Sequence, residues 1–160
     1  MHTYATALNL IGVTVPAHLS ADAEVPILTG PQAQGDLLLL PADTPRSKAW
    51  QTVPVKRVGV VHGEATGNTH WLHPGFDSPR VTWLRATGQA DGLAVGYLRV
   101  PDGQTALLIH TDEHGANGIG PGEYVINRKR QARVVFNSAL AYVPRTSAST
   151  SPDWFGLVDD

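Results

Sequence analysis

The chain has 160 residues, of which 42% are hydrophobic and only 16% charged, with a formal net charge of −2 and no cysteine. This length and composition predict one folded domain with a substantial core and exclude a disordered chain. The charge argues against nucleic-acid binding by a broadly basic surface, and the lack of cysteine excludes disulfides and thiolate metal ligands.

Short β-branched runs bounded by turn residues recur along the chain, which is the pattern of an all-β protein. The predicted strands are 5–14, 25–29, 36–40, 56–63, 69–73, 80–87, 93–100, 104–110, 122–130 and 132–143. Helix is expected only as a turn near 44–51, where Thr44 is a capping residue and Pro45 suits the first helical position. Pro101-Asp102-Gly103 predicts a hairpin turn.

These elements predict an all-β, single-domain β-sandwich or small barrel of about nine or ten short strands with a C-terminal arm. We divide the chain into an N-terminal strand and connecting segment (1–34), a β-domain core (35–143) and a flexible C-terminal tail or arm (144–160). The first residues do not resemble a signal peptide and no run approaches about 18 apolar residues, so cytoplasmic synthesis and no membrane span are expected.

The tail joins a Ser/Thr/Pro-rich stretch to a late apolar cluster. Trp154, Phe155 and Leu157 are its candidate anchor residues. Such a segment packs on its own domain or docks on another chain, and the sequence leaves both alternatives open.

Two windows hold five of the seven histidines, VHGEATGNTHWLH (61–73) and HTDEH (110–114). Both follow an apolar strand and run into glycine-containing turns, so we expect them at one end of the sandwich. The candidate metal ligands are His70, His110 and His114, with Glu64 and Glu113 as ligands or orienting groups. Imidazole and carboxylate suit a divalent ion such as Zn, Fe, Mn or Ni. Structural hydrogen bonding in tight turns is the alternative reading.

A basic run near the end of the core concentrates a third of the Lys and Arg residues: Arg128, Lys129, Arg130 and Arg133. Strand alternation divides these four between two faces. We expect them to protect a sheet edge or to contact an anionic partner, and we do not expect nucleic-acid binding.

Three stretches in this order resemble a small family of uncharacterised bacterial and phage proteins: GDLLLLP (35–41), GEATGNTH (63–70) and HTDEHGANGIGPGEYVINRKRQ (110–131). The family pattern runs GE-x-TG-x-x-H, then H-x-E-H, then PG-x-Y-x-V-x-R-Q-R. By position the resemblance marks Glu64, Thr66, Gly67, His70, His110, Glu113, His114, Gly122 and Tyr124. The chain departs from the pattern at 110–114, which is one residue longer, and after Gln131, where a further strand and tail follow.

GNTHWLH (67–73) and GIGPGEY (118–124) are also loosely similar to cupins, although H-x-x-H stands where cupins have H-x-H. The low charge, dense turns, apolar tail and phage resemblance lead us to expect a non-enzymatic structural or accessory β-domain. It would self-associate or decorate a larger protein scaffold such as a phage capsid, as a head or decoration-type virion protein. The alternatives are a cupin-like metal-dependent enzyme and a module that binds nucleic acid or another anionic surface.

Overall fold

The computed structural model describes residues 2–62, 69–87, 93–110, 114–132 and 155–157. Its elements in chain order are α1 Tyr4–Asn9, β1 Ile27–Leu28, β2 Gln32–Gln34, β3 Leu37–Pro41, β4 Gln51–Thr52, β5 Val58–His62, β6 Thr69–His73, β7 Thr82–Arg85, β8 Ala94–Val100, β9 Ala106–His110, β10 Ala116–Ile119, β11 Gly122–Arg128, β12 Arg130–Ala132 and β13 Phe155–Leu157. In these ranges, no helix has the length and apolar character needed to cross a membrane.

Two sheets pack as a β-sandwich, which confirms the predicted fold class. One sheet has the strand order β1-β10-β9-β6-β5, and the other has the order β2-β3-β11-β8-β7-β4. Neighbours are antiparallel except for β1, which runs parallel to β10. Between the sheets lies a core that includes four fully buried residues, Leu37, Leu72, Leu98 and Ile126. The short strands therefore owe their stability to this shared apolar layer.

The five-stranded sheet is buried on both faces at its centre. All five residues of β9 are buried. Leu108 contributes to the core between the sheets, whereas Leu107 and Ile109 pack with Leu8 of α1 in a second cluster. A continuous apolar strand such as ALLIH is what two buried faces require.

The N-terminal strand predicted at 5–14 is wrong, because the chain forms α1 there. Thr3 caps this helix, with its Oγ1 accepting from the Thr6 N–H at 3.3 Å. The helix ends in a Schellman motif, in which Gly12 has a φ of +73° and the Val13 N–H donates to Leu8 O at 3.1 Å. Six helical residues are enough to bury Leu8. The capping at both ends stabilises the helix, although the β-branched residues that follow it favour a strand.

The helical turn predicted near 44–51 is also wrong. The chain there is irregular and then enters β4. Trp50 Nε1 donates to Pro45 O at 3.1 Å, and the Ala49 N–H donates to Ser47 Oγ at 3.0 Å. These local bonds satisfy backbone groups that a helix would have used.

Candidate functional site

Three histidines predicted to share a site lie in one row. The register of β6 and β9 sets His70 directly opposite His110. Their ring centroids are 4.6 Å apart, and the His114 ring lies 4.7 Å from that of His110. His70 and His110 are buried, whereas His114 is exposed. The expected convergence is therefore found in the structure, and the row runs from the core to the surface.

A glycine sets the position of the outer histidine. The His110 N–H donates to Gly115 O at 2.9 Å. Gly115 has a φ of +65°, and a Cβ built there would lie 2.5 Å from Leu19 Cδ1. A larger residue would strain the backbone and collide with the N-terminal segment, so Gly115 holds His114 close to His110.

The β2–β3 hairpin supplies a carboxylate to the inner end of the row. Its tip is Gly35–Asp36, and Gly35 adopts a φ of +52°. Asp36 is buried, and its Oδ1 lies 3.5 Å from His70 Nδ1. The Gln34 carbonyl oxygen lies 3.2 Å from His70 Nε2. Both ring nitrogens of His70 therefore face oxygen atoms of the hairpin, which fixes the orientation of the ring.

The predicted metal ligands are only partly brought together. Glu64 and Glu113 lie outside the described residues. Within the part of the chain that the structure describes, no group of three or more His, Asp or Glu side chains is placed to hold a metal ion. Coordination through His70 would also require one of its contacts with Gln34 or Asp36 to break. A divalent metal thus stays a prediction that depends on the two glutamates.

Polar side chains from the hairpin extend this site between the sheets, and the sequence reading missed them. Gln34 Nε2 donates to Leu108 O at 3.0 Å, and Gln32 Nε2 donates to Gly118 O at 3.2 Å. Gln32, Gln34 and Asp36 are all buried. The sequence signal for them is QAQ (32–34) directly before the turn at Gly35 and Asp36. Residues two apart share a face of a strand, so Gln32 and Gln34 point the same way.

The basic run does not form one surface in the described part of the chain. The Lys129 N–H donates to Asp36 O at 2.7 Å, and its ammonium donates to Gly35 O. Lys129 therefore ties down the hairpin tip of its own chain. Arg128 lies at the end of β11, the side chain of Arg130 is not described, and Arg133 lies outside the described residues. Contact of this run with an anionic partner stays a prediction.

The predicted assembly arm returns to its own chain at β13. Phe155 pairs with Ala132 and Leu157 with Arg130, forming a two-stranded antiparallel ribbon with β12. Trp154 lies outside the described residues, and the side chains of Phe155 and Leu157 are not described. The backbone pairing places the arm's strand in cis in a single chain, while its role between chains stays untested.

The outer face of the six-stranded sheet carries an apolar row that the sequence reading did not identify. Val125 is the direct partner of both Leu40 and Tyr97, and Tyr97 is the partner of Leu84. We call these four side chains, which cross β3, β11, β8 and β7, the outer row. All four are only partly buried. None of them belongs to either hydrophobic cluster among the described residues.

A polar group closes one end of the outer row. Arg99 Nε lies 3.3 Å from Glu123 Oε1, and the Arg99 guanidinium lies 4.2 Å from the Trp50 ring centroid. Thr44 also contacts Glu123 through its hydroxyl and its N–H. These contacts hold the 42–50 segment across the edge of the face, beside the outer row.

A family of known extent includes both the histidine row and the outer row. A family described as "Domain of unknown function (DUF8820)" matches residues 33–129, which is more than half of the 160 residues. The chain belongs to the DUF8820 family. The DUF8820 region contains Asp36, His70, His110 and His114 as well as the whole outer row. The expected membership of an uncharacterised family is confirmed, whereas the comparisons show no link to cupins or to phage proteins. No curated protein and no solved structure matches the chain.

Proposed function

We propose that this DUF8820 protein is a non-enzymatic structural or accessory β-domain that associates with a second copy of itself through the outer face of its six-stranded sheet. The outer row is the observation that carries the proposal. Its four side chains are apolar or aromatic and partly exposed, whereas Leu39, Leu98 and Ile126 on the opposite face of the same sheet are buried in the core. Removing such surface from water stabilises a complex by about 25 cal/mol per Å².

The size of this face suits a dimer contact. The six strands hold 28 residues in all, and about 3.4 Å of length and 4.8 Å of width for each residue gives roughly 460 Å² before side-chain relief is counted. A standard interface buries about 800 Å² on each partner. The sheet face supplies most of that area. The polar pair Arg99–Glu123 at its rim presents both charges, so a two-fold contact can set the arginine of one copy against the glutamate of the other.

The C-terminal arm supplies the remaining contact in this proposal. Trp154, Phe155 and Leu157 are residue types that anchor interfaces. The ribbon of β12 and β13 is only three residues long, and an isolated two-stranded ribbon is marginally stable in water. Twenty-two residues, 133–154, connect the two strands. That length allows β13 to exchange onto the β12 of a second copy. Removing 145–160 should then weaken association and leave the sandwich folded.

The larger assembly belongs to the same proposal. A sparsely charged β-domain with an open sheet face can coat a protein scaffold as well as pair with itself. The motif resemblance to bacterial and phage proteins makes a phage particle the scaffold we propose, with this domain in a head or decoration role.

The test is the oligomeric state of wild type and Val125→Glu, measured by sedimentation over a range of protein concentrations. Val125 lies at the centre of the outer row, and a buried unpaired carboxylate there should weaken self-association more than a hundredfold, or about 3 kcal/mol. Val55→Glu is the matched control, because Val55 is 79% exposed and lies outside the row. A wild type that stays monomeric, or an equal effect of both substitutions, would refute the proposal.

A structural divalent metal is a second element, favoured by the spacing of His110 and His114. Two imidazoles that share one ion through bonds of about 2 Å place their ring centroids roughly 4.5–5 Å apart, and these centroids are 4.7 Å apart. Glu64 and Glu113 are the proposed further ligands. Elemental analysis should find about one Zn, Fe, Mn or Ni per chain, lost in His114→Ala and kept in the exposed-histidine control His18→Ala. A redox metal with turnover of a substrate would favour the cupin-like enzyme instead.

A further inference from the structure

In the described part of the chain, β4 covers only the first half of the β7 edge. β4 pairs with Thr82 and Trp83 alone. The Ala86 N–H donates to Val95 O of the β8 side at 3.0 Å, so alternation turns the N–H and C=O groups of Arg85 and Thr87 away from β8. In the described residues, no strand lies on this side of Arg85, the last residue of β7, or of Thr87, which follows the strand. Arg85 and Thr87 thus offer the hydrogen-bonding pattern that an added strand needs.

This edge forms one wall of a cleft of about 560 Å³. Leu84, Tyr97 and Trp83 contribute apolar surface to it, and the irregular segment 45–49 forms the facing wall. That wall stands off from β7 because Ala49 bonds to Ser47 instead of continuing the ladder. The volume lies within the range of about 300–1,000 Å³ that is usual for ligand sites. An extended segment of a few residues therefore has space between the wall and the strand.

The facing wall carries exposed cationic residues between its lining residues, and we call these, together with Arg85, the cationic rim. Arg46 and Lys48 alternate with the lining residues of the facing wall and are exposed, and Arg85 is exposed on the strand side. In the described part of the chain, neither Arg46 nor Lys48 forms an ion pair. Arg85 lies over the edge of β5, where its guanidinium donates to Val60 O at 3.3 Å and to Gly59 O. This local excess of positive charge contrasts with the net charge of −2.

We propose that this cleft binds an extended acidic peptide segment of another protein, which adds as a strand to β7. Backbone bonds to Arg85 and Thr87 provide the affinity, as in other strand-addition complexes. Apolar side chains on one face of the peptide rest on Leu84 and Tyr97, and acidic side chains on the other meet Arg46 and Lys48. This site goes beyond self-association, because it selects a partner of different chemistry.

Charge excludes the simplest competitor, a second copy paired edge to edge. Two β7 edges brought together would set Arg46, Lys48 and Arg85 of one copy against the same residues of the other. Like charges across an interface cost several kcal/mol, whereas an acidic strand turns the same groups into attractions. The cationic rim therefore prevents homotypic pairing at this edge and favours an acidic strand.

The binding experiment uses a synthetic peptide of alternating valine and glutamate, titrated into the full-length protein by calorimetry. A peptide of alternating valine and lysine is the charge control, and a proline-interrupted peptide of the first composition is the strand control. We expect the first to bind and both controls to bind at least tenfold more weakly. Equal binding of the two charged peptides, or no binding of any, would overturn the proposal.

Amide hydrogen exchange locates the added strand. Saturation with the valine–glutamate peptide should slow exchange at Arg85 and Thr87 at least tenfold. Ala86 should change little, because its N–H is already bonded to Val95 O. Protection of Arg85 and Thr87 at high protein concentration without peptide would show that a second copy or the chain's own tail takes the edge, and the proposal would fail.

Two variants complete the test. Thr87→Pro removes one outward N–H and keeps the Ala86 bond, and it should abolish binding. Arg46→Glu with Lys48→Glu should lower affinity about tenfold, mainly by slowing association, whereas the exposed Arg80→Glu should have no effect. Because Leu84 and Tyr97 also belong to the outer row, the titration is repeated with Val125→Glu. Loss of self-association with unchanged peptide binding would show that the two surfaces act separately.

Discussion

Gly96 is the position where one methyl group should disturb the sheet that carries both proposed surfaces. It lies on β8 opposite Arg85 of β7, beneath the indole of Trp83. A Cβ built on Gly96 would lie 2.2 Å from Trp83 Cη2 and 2.7 Å from Leu84 O. Ordinary carbon contacts are about 3.5–4.0 Å, so the overlap exceeds about 1 Å.

The neighbours have little freedom to relieve this overlap. Trp83 is 4% exposed and belongs to the core between the sheets, and the Leu84 oxygen is part of the adjacent strand. Overpacking typically costs about 1–3 kcal/mol, and a clash with both a buried indole and backbone places Gly96→Ala near 3 kcal/mol. For a chain of this size, about 2–4 °C per kcal/mol gives a fall in Tm of roughly 6–12 °C.

Thermal unfolding followed by circular dichroism measures the effect. Gly30→Ala is the control, because a Cβ there meets nothing within 4 Å and the backbone conformation is ordinary. Adding Trp83→Leu to Gly96→Ala should cost less than the two separate changes together, since the smaller side chain removes the clash. If Gly96→Ala unfolds at the same temperature as Gly30→Ala, the close packing of Trp83 on β8 is not as described.

Strands with strong local signals were predictable from the sequence. The prediction for 69–73 coincides with β6, and those for 93–100 and 104–110 differ from β8 and β9 by one or two residues. Each is a β-branched or aromatic run between turn residues, so composition and punctuation agree. The turn predicted at Pro101-Asp102-Gly103 also forms, with Gly103 at a φ of +74°. The predicted hairpin is wrong, because this turn joins β8 to β9, which lie in different sheets.

Several elements were not predicted, and β10 and α1 show two different reasons. β10 lies within GANGIGPG, which reads as a turn. Gly118 is a glycine because a Cβ there would lie 2.7 Å from Pro26 O, at the close approach of the parallel strand β1. In α1 the apolar positions are too few to separate a period of 3.6 from a period of 2, and the Thr3 cap decides.

The histidine row was predictable, whereas its carboxylate and the outer row were not. His110 ends one predicted strand and His70 is the second residue of another, each beside a glycine-containing turn, which indicates one end of the sandwich. Asp36 comes from the other sheet, so its approach depends on how the sheets stack. The outer row depends on the registers of four strands, and Val125 alone gives no sign of its neighbours. The last predicted strand, 132–143, lies mostly outside the described residues.

Two further predictions concern buried histidines. Burial lowers the pKa of His73 below 6.5, with the Val55 backbone opposing the shift. Between the lowered folded pKa and 6.5 the unfolded chain binds more protons, so the free energy of unfolding should fall as the pH drops through that window. Urea unfolding at several pH values should show that the free energy of unfolding depends less on pH in His73→Asn than in wild type. The second concerns Asp36 and His70, whose facing atoms are 3.5 Å apart in the core. Removing one partner leaves a buried polar group, at a cost of about 3–5 kcal/mol if the pair is ionic. Asp36→Ala with His70→Ala should therefore cost at least about 1 kcal/mol less than the sum of the single changes. If the free energies of unfolding instead add, the Asp36 carboxylate does not orient His70.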